Sequence, residues 1–131
     1  MEKKKAILLA SIIIVCIGYL VLPLRVYRID MSLHSAGLTT LEDTFIVPLF
    51  KTKLKIEMTI KLFGVLDITI IDATNNKTVF SWDETAVNEK TYYIEKTIDV
   101  SGNRKYIIIF NTLVLTDCDI EARLTAYTIL L

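Results

Sequence analysis

Lys53-Leu-Lys-Ile-Glu-Met-Thr-Ile-Lys-Leu62 alternates polar and apolar residues without a fault. Leu54, Ile56, Met58, Ile60 and Leu62 share one face, and Lys53, Lys55, Glu57, Thr59 and Lys61 the other. Successive side chains of a strand point to opposite faces, so this stretch reads as a strand buried on one side. Leu66, Ile68 and Ile70 alternate with Asp67 and Thr69 in the same way. Near the C-terminus Ile120, Ala122, Leu124 and Ala126 alternate with polar residues over Asp119–Thr128.

Working outward, Tyr106-Ile-Ile-Ile-Phe110 is apolar at every position. Such a run fits a strand covered on both faces, one lying mid-sheet, or one docking on a partner. Turn chemistry divides the strands: Thr74-Asn75-Asn76-Lys77, where Asn tolerates positive φ, then Ser101-Gly102-Asn103, then Thr116-Asp117. Asp83–Lys90 reads as a polar loop between strands at Thr78–Trp82 and Tyr92–Val100. Further strands fall near Val26–Leu33 and Thr44–Leu49, the latter demoted to an edge by Pro48. About seven to eight strands without an amphipathic helix argue an all-β, antiparallel β-sandwich of jelly-roll or immunoglobulin-like type.

The N-terminus is of another kind. A basic head, residues 1–5, precedes Ala6–Leu24, which carries no charge. At ~1.5 Å per residue that run spans roughly 28 Å, near the hydrocarbon thickness of a bilayer. Ala6, Ile12, Ile14, Cys16, Tyr19 and Leu24 therefore read as parts of a transmembrane signal anchor over 6–24, with the sandwich occupying 25–131. Lys3, Lys4 and Lys5 against Arg25 and Arg28 favour a cytoplasmic N-terminus and an external domain at the cell membrane. Two other readings stand beside it. A cleaved secretory signal would need a shorter apolar region and a small-x-small site. Lys4-Lys5-Ala6 before Ile7-Leu8 also looks like a class III, prepilin-type leader cut after Ala6.

Loose features of the second half resemble GOLD-type jelly-roll domains, including the luminal part of the p24 cargo-receptor family. The residues are Leu66-Asp-Ile-Thr-Ile-Ile-Asp72, Lys105-Tyr-Ile-Ile-Ile-Phe-Asn111 and the strand Asp119–Thr128, within roughly Phe45 to Leu131. The resemblance implies a sandwich with a general role in protein or lipid-proximal recognition. It transfers no binding residue. The p24 pattern has its helix after the domain and a pair of domain cysteines, whereas here the apolar segment comes first and the domain has only Cys118.

Little chemistry is on offer. His34 is the only histidine, no glycine-rich phosphate loop exists among four glycines, and no nucleophile sits in a recognisable elbow. Zero formal net charge gives no electrostatic case for nucleic acid. Cys16 and Cys118 lie in different regions, so no internal disulfide is expected. Asp117, Asp119 and Glu121 could turn the same way toward a Ca²⁺ ion, although a solvated strand face is the plainer reading. No cofactor or metal is expected. Trp82, Tyr92 and Tyr93 flank the polar loop and are candidates for contact with a partner or a sugar. Asn76-Lys77-Thr78 is a candidate glycosylation sequon in a surface turn.

The expectation from sequence is thus a membrane-anchored, non-enzymatic accessory subunit with lipid contact and protein partners or further copies of itself. Tyr106–Phe110 and Tyr127–Leu131 would supply apolar strand surface for a partner. A pilin-like or archaellum-associated filament or stator subunit is the alternative.

Overall fold

The computed structural model describes residues 2–128. One helix, α1 (Glu2–Val21), is followed by six antiparallel strands: β1 (Leu24–Ser35), β2 (Thr39–Val47), β3 (Lys53–Asp72), β4 (Lys77–Asp99), β5 (Arg104–Thr112) and β6 (Thr116–Tyr127). β3 and β4 are the long ones. The first half of β3 pairs with β6, from Lys53↔Tyr127 to Phe63↔Asp117. Its second half leaves β6 and pairs with β5, from Leu66↔Thr112 to Asp72↔Tyr106. β4 follows β3 throughout and ends opposite its start, at Lys53↔Asp99.

The β3–β4 hairpin therefore folds over between two sheets. One sheet has the order β1-β6-β3-β4 and the other β2-β5-β3-β4, each using a different half of the hairpin. Counting the halves separately gives eight strand lengths, the arrangement of a jelly roll. The expectation of about seven to eight strands exceeds the six continuous strands because no turn interrupts either long strand at the fold-over.

The pivot is local and identifiable. Leu62 pairs with Lys90 and Gly64 with Ala86, so residues 87–89 bulge opposite Phe63. Gly64 has φ +114, a conformation that L side chains rarely adopt. Leu62, Gly64 and Leu66 keep the same parity, so the inward face stays inward across the bend. Leu54, Ile56, Ile60, Leu62, Leu66, Ile68 and Ile70 are all fully buried. Ile108, Phe110, Ile120 and Leu124 meet them from β5 and β6. Each such side chain contributes about 1.5–3 kcal/mol by leaving water. At the opposite end Phe45 stacks on Tyr106 at 5.6 Å and lies 5.9 Å from Tyr27, tying β1, β2 and β5 together.

Asp83–Lys90 is not the expected loop, since its residues belong to β4. The segment lies on a sheet edge and is largely exposed, so alternation is not required of it and its polarity imitates a loop. Tyr106–Phe110 lies in β5 between β3 and β2, with Ile107 and Ile109 half-buried on the outer face. β2 is a sheet edge, and Pro48 follows its last residue. Asn76 and Asn103 both take positive φ in the turns the sequence assigned to them. Of the expected apolar C-terminal stretch, Ile129–Leu131 lies outside the described residues.

The membrane reading is overturned. Among the described residues no helix is long and apolar enough to cross a membrane. α1 starts at Glu2, so Lys3, Lys4 and Lys5 lie within the helix, and it stops at Val21. Its uncharged part, residues 6–21, spans about 24 Å, short of a ~30 Å hydrocarbon core. Pro23 lies outside the helix and Leu24 opens β1. Ala6, Ile12, Ile14, Cys16 and Tyr19 are helical and Leu24 is a strand residue, but together they do not form the expected single-pass anchor. The expected cell-membrane placement, with a cytoplasmic N-terminus and an external domain, falls with it.

The base of the second sheet carries a half-buried ion pair. Asp72 Oδ2 accepts from Arg104 at 2.9 Å, and its Oδ1 accepts from the Thr74 amide at 2.9 Å. The Thr74 amide first, and Arg104 with it, hold the Asp72 carboxyl below its ordinary value, against an opposing effect of burial. A depressed carboxylate pKa contributes stability that is present above the unfolded value and lost as pH falls through the folded one. Chemical denaturation between pH 5 and about pH 2 should therefore show stability falling below about pH 4, with a shallower fall in Asp72→Asn. Equal slopes for the two proteins would refute this role for Asp72.

Candidate functional site

The outer face of the β1-β6-β3-β4 sheet is a broad polar surface. Its rows follow from register. Arg28, Arg123, Glu57 and Glu95 lie across one row, and Asp30, Glu121, Thr59 and Tyr93 across the next. Ser32, Asp119, Lys61 and Thr91 form a third. These are the polar positions of strands whose alternate residues build the core, so the sequence pattern that buries Ile56 and Ile60 also fixes this face.

Glu57, Thr59, Tyr93, Glu95, Glu121 and Arg123 line an open depression of about 430 Å³. Tyr93 is 79% exposed, which is unusual for so large a ring and leaves its face free for contact. Around it the charges are organised. Arg123 Nη2 donates to Glu121 at 2.8 Å, and Lys55 Nζ lies 3.3 Å from Glu95 and 3.8 Å from Glu57. The hydrogen bond to Glu95 first, then the charges of Glu57 and Glu95, raise the Lys55 pKa. Toward the fold-over, Lys61 pairs with Glu89 at 3.0 Å, which raises its pKa as well. These pairs are exposed, so they organise the surface more than they stabilise the fold.

The three aromatic candidates divide between two faces. Tyr93 lies outward opposite Thr59, while Trp82 opposes Ile68 and Tyr92 opposes Ile60 on the inward side. Trp82 and Tyr92 meet edge-to-face at 5.5 Å and pack on the core. Of the three, only Tyr93 stands exposed on the outer face. Asn76 is exposed in its turn, clear of this face.

The remaining candidates resolve into ordinary pairs. Asp117 lies 2.7 Å from His34 Nδ1, Asp119 accepts from Ser32 at 2.6 Å, and Glu121 accepts from Arg123. Each acid of the β6 row thus has its own neighbour. Among the described residues no group of three or more His, Cys, Asp or Glu is arranged to hold a metal ion. Cys118 is buried, and burial first, then Asp119 and Asp117, push its thiol up to about 11, which keeps it protonated at neutral pH. Cys16 is exposed and Cys118 buried, and both are free thiols.

No protein-family model matches the chain, and no curated protein matches it, so the GOLD and p24 resemblance finds no support beyond the jelly-roll sandwich itself. Solved structures of similar shape exist at low identity. A carbohydrate-binding module of Cellvibrio mixtus lichenase 5A, in complex with cellotriose, aligns at 11% identity and TM-score 0.47, over 80% of this chain and 96% of that one. The C-terminal module of a laminarinase from Zobellia galactanivorans aligns at 10% and 0.49, over 79% and 99%. The VP2 subviral particle of infectious bursal disease virus aligns at 15% and 0.46, over 79% of this chain and 32% of that one. The jelly-roll order here is read from this chain's own strand register.

Proposed function

We propose that this chain is a non-catalytic binding module that takes a glycan on the outer face of the β1-β6-β3-β4 sheet. The observation that carries the reading is Tyr93, 79% exposed and ringed by Glu57, Thr59, Glu95, Glu121 and Arg123. A sugar ring has an apolar C–H face and a rim of hydroxyls. Tyr93 suits the first, and carboxylates, a guanidinium and a hydroxyl suit the second. An open, shallow depression suits a chain laid across a sheet better than an enclosed small molecule.

Affinity electrophoresis and calorimetry against xylan, β-glucan, mannan and pectin test the proposal. Binding to at least one is expected, and Tyr93→Ala should weaken it roughly tenfold, about 1–2 kcal/mol, without moving the melting temperature. Lys53→Ala, outside the depression, should bind as the parent does. Silence against every polysaccharide, or full binding by Tyr93→Ala, defeats the proposal.

A second reading, a protein partner, has its own observation. Leu38, Val87, Leu113 and Leu115 are 74%, 81%, 61% and 62% exposed. They sit on the turns and bulge gathered at the fold-over end, where apolar surface has no role in the domain's own core.

A further inference from the structure

Among the described residues, α1 carries a long run of exposed apolar side chains that the domain's own core does not use. The eight branched aliphatic residues between Ile7 and Ile17 are each 49–70% exposed. At 100° per residue they leave no sector of the helix wider than about 80° without an apolar side chain. An amphipathic helix would dock on its own domain by one stripe; this one has no polar side to turn to water. α1 nevertheless makes no more than marginal contact with any of the six strands.

Its direction is fixed at the C-terminal end. Lys51 Nζ donates to the carbonyls of Tyr19 and Leu22, and Tyr19 Oη donates to Leu49 O at 3.0 Å. Leu22, Leu49 and Phe50, exposed by 59%, 52% and 61%, continue the apolar surface onto the domain.

We infer that α1 is covered by the α1 helices of further copies of this chain, in a bundle of three or more. Two observations choose that occupant. The uncharged length is too short, and too closely preceded by Lys3–Lys5 within the helix, for a bilayer core. The area also fits. At ~90 Å² per exposed aliphatic side chain, each helix offers roughly 700 Å², near the share each partner gives to a standard interface. Because that area surrounds the helix, one neighbour covers only part of it, and the geometry calls for a bundle rather than a pair.

Sedimentation velocity of the full chain, with alkylation of Cys16, tests the inference. Cys118 is 3% exposed and Cys16 is exposed in a single copy, so the fast-reacting thiol reports on the helix surface. A discrete species of three or more copies is expected, with Cys16 alkylated at least tenfold more slowly than in Ile13→Glu. That variant should sediment as a monomer. Its sandwich should keep the parent's β-sheet circular dichroism, because Ile13 is 49% exposed and lies outside the sandwich core. A monomeric parent with a freely reacting Cys16 overturns the inference. So does a monomer that floats with phosphatidylcholine–phosphatidylglycerol vesicles, or a polydisperse aggregate indifferent to Ile13→Glu.

Discussion

Gly64→Ala should destabilise the domain by about 3–5 kcal/mol, a large share of the 5–15 kcal/mol that holds a domain of this size folded. Two costs combine. The backbone at φ +114 is strained for any residue with a Cβ. That Cβ would also lie 2.6 Å from Leu115 O, 2.6 Å from Thr116 Oγ1 and 2.8 Å from Thr116 Cα, and two of these atoms are backbone. Relief requires moving the β5–β6 turn, which is not free to move. Thr116 Oγ1 accepts from the Val65 amide at 3.2 Å and lies 2.8 Å from Val114 O. Beside it, Thr112 Oγ1 donates toward Ser35 Oγ and Gly37 O at 3.1 Å, so the turns of this end share a hydroxyl network. Thermal denaturation should show the midpoint falling by roughly 12–25 °C. Gly37→Ala is the control: its Cβ would meet nothing within 4 Å, and its midpoint should stay put or rise slightly. A Gly64→Ala protein as stable as the parent would mean that β3 does not fold over at this residue.

The same position marks the limit of what the sequence discloses. Alternation through Leu54–Leu62 and again through Leu66–Ile70 identifies both halves of β3 and their buried faces. What it cannot express is continuity, because a bend that preserves parity leaves no phase change to detect. β4 is harder still. An edge strand exposed on both sides near its bulge needs no apolar residues there, so Asp83–Lys90 has the composition of a loop. The N-terminal error has a different origin. The run of uncharged residues extends to Leu24, but helical geometry ends at Val21, before Pro23. The missing turn decides whether the segment reaches across hydrocarbon.

The candidate site was legible only in fragments. Tyr93 is visible as an aromatic beside polar residues, yet Trp82 and Tyr92 share that description and point inward. One residue of register separates Tyr92 from Tyr93 and assigns them to opposite faces. Glu57, Glu95, Glu121 and Arg123 come from three strands far apart in sequence. Nothing local to any of them marks it as a neighbour of Tyr93. Pairing supplies the neighbourhood, and pairing is a property of the whole fold.

Lys51→Met should release the end of α1 from the sandwich at a cost of about 2–4 kcal/mol. Lys51 is fully buried, which a lysine tolerates only with partners at hand. Its Nζ donates to Tyr19 O at 2.5 Å and Leu22 O at 2.8 Å, and lies 4.9 Å from the Tyr19 ring centroid. The last carbonyls of a helix have no donors within it and carry the negative end of its dipole, so an ammonium placed there satisfies both needs. Methionine keeps the length and shape of the side chain and removes only the donors and the charge. Burial lowers the Lys51 pKa, so the unfolded chain holds this proton more tightly and the parent should gain stability as pH rises from the folded pKa toward 10.5. Lys51→Met should lack that alkaline gain. It should also lose helical ellipticity at 222 nm at lower temperature than the sandwich melts, as the last turn frays. If helix and sandwich instead melt together at the parent's midpoint, the cap does not hold α1 in place, and the fixed direction of that helix loses its physical basis.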